Sequence, residues 1–270
     1  MNKLLKLTTL SLLLGLTFQA NGKELSDKFL RQTSEKYALP ETPMPVSSIR
    51  YYKELQYLTN EEGSSEPTLT SKYSLINDDS LHSTQYRNIV HMESQNTFAM
   101  YGNEIERFSS VNLYSGFHPL SIDGLIANDD GQLIEPVKMR AQKIFISHLP
   151  SQWLNHVTPF ETRTEYQVET APSHWKHGKK ITWHSACQAF STEAVQDFPQ
   201  LFPKNVHGVM RRVVCKSSGY NQQNQLYQQM NTIGFWLENY QLMVPLSSET
   251  HWEGEKSFTR TYYRMLDFKP

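Results

Sequence analysis

The chain is 270 residues long, and its 26 Lys and Arg nearly balance 27 Asp and Glu, for a formal net charge of −1. No basic block stands out of that balance, which excludes the electrostatic footprint of a nucleic-acid binder or of a protein held on an anionic membrane surface. Aromatic residues make up 12% of the chain, with 14 tyrosines, a composition suited to half-buried strands.

Residues 1–22, MNKLLKLTTLSLLLGLTFQANG, have the three-part layout of a secretory signal peptide: Lys3 and Lys6, an apolar core from Leu10 to Phe18, then the small residues Ala20 and Gly22. The core is shorter than the roughly 20 residues a spanning helix needs. The expectation is export, with cleavage after Ala20 or Gly22 and a mature chain that is periplasmic or secreted. No cysteine lies near the cleavage point to carry a lipid, and no later segment is apolar enough to span a membrane as a helix. The absence of N-x-S/T sequons points to a bacterial envelope.

Residues 23–46 read as a short helix and a stiff linker. Ser26 is the N-cap, Asp27 lies in the first turn, and Phe29, Leu30 and Tyr37 fall on one face. Pro40, Pro43 and Pro45 end the helix.

Residues 47–270 read as one β-rich domain, because the hydrophobic period changes to two. Ile49, Tyr51, Leu55 and Tyr57 share a face, with Lys53 the exception. Leu69, Tyr73 and Leu75 share the next, and NDDS (77–80) reads as a turn. YRNIVHMES, NTFAMYG, EIERFSSVNLYS and PLSIDGLIA follow as strands. NDDGQ (128–132) is a hairpin turn. QLIEPVKMRAQKIFI is one strand, or two divided at Pro136. HLPSQWLNHVTPF is irregular and is a candidate division of the domain into halves near 148–160. TRTEYQVET alternates most cleanly, KKITWHSACQAF and VHGVMRRVVCKS follow it, and GYNQQNQLYQQM is ambiguous. IGFWLENYQLMVPL and SFTRTYYRMLDF are the last strands. Roughly ten to thirteen strands and little helix predict an antiparallel β-sandwich or open barrel, with one short N-terminal helix and one disulfide.

The two cysteines, Cys187 and Cys215, sit in strand-like segments, and in an exported chain they are expected to pair. Closing a loop of 28 residues stabilises by roughly 3–4 kcal/mol in the chain-entropy treatment.

HWKHGKKITWH (174–184) looks like the most chemical stretch, with His174, His177 and His184. Alternation from Lys180 puts His184 with Thr182 and Ala186, away from Trp183 and Cys187, and nothing forces it toward the other two. THWEGEKSFT (250–259) repeats the same His-Trp pattern before another strand. Both read as turns, with no metal and no cofactor implied. No G-x-S-x-G elbow is present. Ser115 and His118 in SGFHP read as turn punctuation, Asp123, Asp129 and Asp130 as turn acids, and Arg211 and Arg212 as solvated or paired residues on opposite faces.

The aromatic IGFWLENYQL segment and the His-Trp turns supply a candidate binding surface of Trp175, Trp252, Phe235, Trp236 and Tyr240. The expectation is a non-catalytic exported protein that binds a lipid, a glycan or a protein of the cell envelope. An envelope-directed hydrolase is the alternative, which a deep pocket of convergent acids and histidines would favour. An outer-membrane-associated barrel is the second, which lipid-facing apolar alternation would favour. Neither ligand, partner protein nor oligomeric state is specified by these residues.

Overall fold

The computed structural model describes residues 27–39, 43–60, 66–86, 88–100, 103–114, 118–127, 133–149, 152, 158–170 and 179–270. One helix, α1 (Asp27–Lys36), precedes twelve strands: β1 (Ser48–Thr59), β2 (Thr68–Ser83), β3 (Ile89–Met100), β4 (Asn103–Tyr114), β5 (His118–Ala127), β6 (Leu133–Ile146), β7 (Thr158–Thr170), β8 (Lys180–Ala194), β9 (Val209–Tyr220), β10 (Leu226–Leu237), β11 (Leu242–Trp252) and β12 (Ser257–Lys269). Each strand pairs antiparallel with its sequence neighbours, and β1 pairs with β12, so the sheet is a closed barrel and not the open barrel or sandwich expected.

Several local readings change. NDDS is no turn: Asn77 to Ser80 lie inside β2. YRNIVHMES and NTFAMYG contribute to one strand, β3, and β6 runs unbroken through Pro136. IGFWLENYQLMVPL is two strands, because the chain turns at Glu238–Tyr240 and reverses through Gln241 in the left-handed region (φ 48°). A bulge in β2 places Leu69 opposite Leu58, off the face that holds Tyr73.

Directly opposed residues in antiparallel strands share a face. Following register partners traces the inner wall: Tyr51 to Asn77 and Met265, Asp79 to Ser94, Thr261 to Ser248, Thr232 to Cys215, Cys215 to Cys187, and Cys187 to Phe160. The outward positions of β1 and β7 are largely polar (Arg50, Glu54, Arg163 and Glu165 among them), whereas Leu58, Phe145 and Phe258 are apolar residues on the same outer face.

At the end where β1 begins, two seams interrupt the wall. β11 and β12 pair only over Ser247–His251, and β5 and β6 only from Ser121 to Ala127 on the β5 side. The first seam is packed by Met265, Phe268, Val244, Leu242 and Tyr240, with Phe202 and Val206 from the β8–β9 connection. The second is filled by the residues after α1. Tyr37 Oη donates to Ile144 O (3.1 Å) and accepts from Ile146 N (3.3 Å), pairing backbone groups that β5 leaves unmatched. Tyr37 packs with Ile89, Tyr114, Leu120 and Ile146, and Phe29 and Leu30 of α1 lie against them. Leu39 joins Phe160, Cys187, Ala189, Val213 and Trp236. The residues after α1 therefore help to floor the barrel.

Candidate functional site

The opposite end is the mouth. Tyr57 and Tyr73 face inward by register and sit edge-to-face at 5.7 Å, yet remain 40% and 38% exposed. These rings are open to solvent at this end of the barrel. Eight strands already enclose room for side chains or one small ligand, and twelve enclose more. Across the lumen Trp183 lies over Gly219, whose missing Cβ would fall 2.4 Å from the indole, and Tyr227 approaches the same indole at 6.4 Å. Trp252, two residues beyond the inward-facing Thr250, is half-buried at the rim.

Below the mouth, one wall is polar. Lys53 Nζ donates to Asn77 Oδ1 at 2.7 Å and to Asn96 Oδ1 at 3.5 Å, and lies 5.3 Å from the centre of the Tyr263 ring. Asp79 Oδ1 accepts from Asn77 Nδ2 and from Ser94 Oγ, each at 2.5 Å. Burial pushes the Asp79 carboxyl above its ordinary range, against those two hydrogen bonds and the Lys53 charge, which pull it down. Burial likewise raises the phenols of Tyr51 and Tyr263, with Asp79 adding to both. The facing wall carries small residues: Ser217 Oγ donates to Ser185 Oγ at 2.8 Å, and the Thr232 hydroxyl is buried without a hydrogen-bond partner. The inward-facing side chains thus change from aromatic at the mouth, through a cation and amides, to apolar at the floor.

The residues singled out from sequence are dispersed. Phe235 and Tyr240 are buried in the apolar seam cluster, whereas Trp236 is buried in the floor cluster on the other face of β10. Trp252 is at the mouth, and Trp175, His174 and His177 lie outside the described residues. β7 ends and β8 begins at the same rim where β11 ends and β12 begins. His184 is exposed on the outer face, in register with Arg163. His118 is buried against Thr164 Oγ1, and Asp123 pairs with Arg140 at 2.7 Å within the wall. Arg211 pairs with Glu238, and Arg212 stacks 4.4 Å from the Phe190 ring centre. The Cys187–Cys215 disulfide joins direct register partners of β8 and β9. Among the described residues, no group of three His, Cys, Asp or Glu is placed to hold a metal ion, and no helix is long and apolar enough to cross a membrane.

Reading the sequence for candidate sites does not find Lys53, Asn77 and Asp79, though a signal is present. Tyr73, Leu75, Asn77, Asp79 and Leu81 keep an unbroken period of two, with polar residues in the middle of the inward series.

No protein-family model matches the chain, and no curated protein matches its sequence. Among solved structures it is similar to a Bacteroides fragilis protein with a YmcC-like fold, at 11% identity and a TM-score of 0.34, covering 84% of this chain and 98% of that one. It is also similar to a DUF1329 family protein from Desulfovibrio piger, at 7% identity and a TM-score of 0.33, covering 89% and 90%. The functional reading rests on the barrel's own geometry.

Proposed function

We propose that this is an exported, non-catalytic carrier or receptor that holds an amphiphilic lipid of the cell envelope inside the barrel. The observation that carries the reading is the set of inward-facing yet exposed tyrosines directly above Lys53 and its amide partners. An acyl chain would lie against Tyr57, Tyr73, Leu55 and Leu75, and an anionic head would meet the Lys53 ammonium and the Asn96 amide. The signal-like N-terminus supports a periplasmic or secreted location. The charged outer wall argues against the outer-membrane barrel, since a Lys or Arg on a lipid face costs about 2–4 kcal/mol at mid-membrane.

The test is titration of the purified protein with a dansyl-labelled fatty acid. Saturable binding is expected, weakened at least tenfold by Lys53→Met and by Tyr73→Ala, in variants that melt like the parent. Absence of saturable binding, or binding indifferent to both changes, would refute the reading.

A further inference from the structure

A concavity lies on the outside of the barrel, where β6, β7 and β8 run side by side. It encloses about 570 Å³ and is lined by Lys143, Phe145, Glu161, Arg163, Glu165 and His184 among others. That volume is within the usual range for small-ligand sites, about 300–1,000 Å³. Phe145, Arg163 and His184 are direct register partners on three successive strands. They form one row about 10 Å long, two inter-strand spacings of about 4.8 Å. We propose that this cleft binds a neutral oligosaccharide, with one sugar face on the Phe145 ring and its hydroxyls hydrogen-bonded to Arg163, Glu161 and Glu165.

Three features select that chemistry. The first is the ring. Phe145 is 50% exposed although it sits within strand β6. An exposed phenyl ring offers an apolar face that suits the C–H side of a pyranose.

The second is charge. Two cations face two carboxylates: Lys143 Nζ lies 3.2 Å from Glu165 and Arg163 lies 3.7 Å from it. Partial burial and then the Arg163 guanidinium lower the His184 pKa, disfavouring its charged form. A lining that sums to zero does not attract a polyanion. It does present carboxylate oxygens and guanidinium N–H groups, acceptors and donors together, which is what vicinal hydroxyls match.

The third is closure of the sheet. An extended peptide is most readily taken up by adding a strand to a free edge; at the cleft β7 is paired on both sides, and the side of β6 that β5 leaves open is taken by Tyr37. The outer face can therefore be read only through side chains.

The experiment titrates the purified protein with chitotriose, cellotriose and maltotriose, following amide shifts by NMR. At least one is expected to bind saturably, moving the resonances of Phe145, Arg163 and His184. Phe145→Ala and Arg163→Ala should each weaken binding tenfold or more at unchanged melting temperature, and Lys53→Met should leave it unaltered, which separates this site from the lumen. No binding by any of the three, or binding that survives both cleft substitutions, overturns the proposal.

Discussion

His118 is a neutral imidazole by force of burial. It is enclosed in the wall against Thr164, and desolvation lowers its pKa to about 4 from the usual 6.5. The folded state therefore binds this proton less readily than the unfolded chain, so its contribution to stability is complete above pH 6.5 and is lost as the pH falls toward 4. The full loss is about 3 kcal/mol. Asp79 acts with the opposite sign: its raised pKa adds stability as the pH drops from the raised value toward 3.8. Denaturant midpoints of the parent and of His118→Gln between pH 7 and 4 isolate the histidine. The difference between them should shrink toward low pH, and a constant difference would remove the titration from the explanation. At this scale the sequence was least legible. Asn77 and Asp79 belong to a run of turn-forming residues, and only the partner strands on both sides of β2 reveal that they point into a lumen able to hold polar side chains.

Elements were more legible than their junctions. Alternation found β1 and β7, and placed His184 opposite Trp183 correctly. The disulfide followed from two cysteines in strands joined by one connection. Alternation could not show that β10 and β11 are separate, because Glu238–Tyr240 interrupts the apolar series for three residues only. Nor could it show that the segment after α1 repairs a seam. Tyr37 supplies the side-chain hydroxyl that matches both Ile144 O and Ile146 N. Tyr37→Phe keeps the ring among Ile89, Tyr114 and Ile146 while leaving two buried backbone groups unmatched, at about 1–3 kcal/mol. Chemical denaturation should register that loss, together with faster amide exchange at Ile146. An unchanged exchange rate there would mean the seam does not depend on the hydroxyl.

For the molecule as a whole, sandwich and barrel were hard to separate because the structure contains something of each. Between the two seams, at the floor, β6–β11 and β12–β5 are two apposed sheets, whereas toward the mouth the wall is continuous. Closure depends on the pairing of β1 with β12, about two hundred positions apart, which no local pattern encodes. The whole-molecule prediction concerns the outer surface. With Arg50, Glu54, Arg163 and Glu165 facing outward, osmotic shock of expressing cells should release the protein without detergent. Recovery only with detergent would contradict the assignment of faces.

The pairing of the first strand with the last also orders events in time. A chain that emerges amino end first presents β1 with one side matched by β2 and the other side bare. That side stays bare until residues 257–269 arrive, so ring closure comes last. Until then the half-made sheet has two live edges, and each can recruit a strand from another copy. Safe passage from synthesis to the finished ring thus depends on how quickly the carboxyl end follows, or on something that shields β1 in the interval.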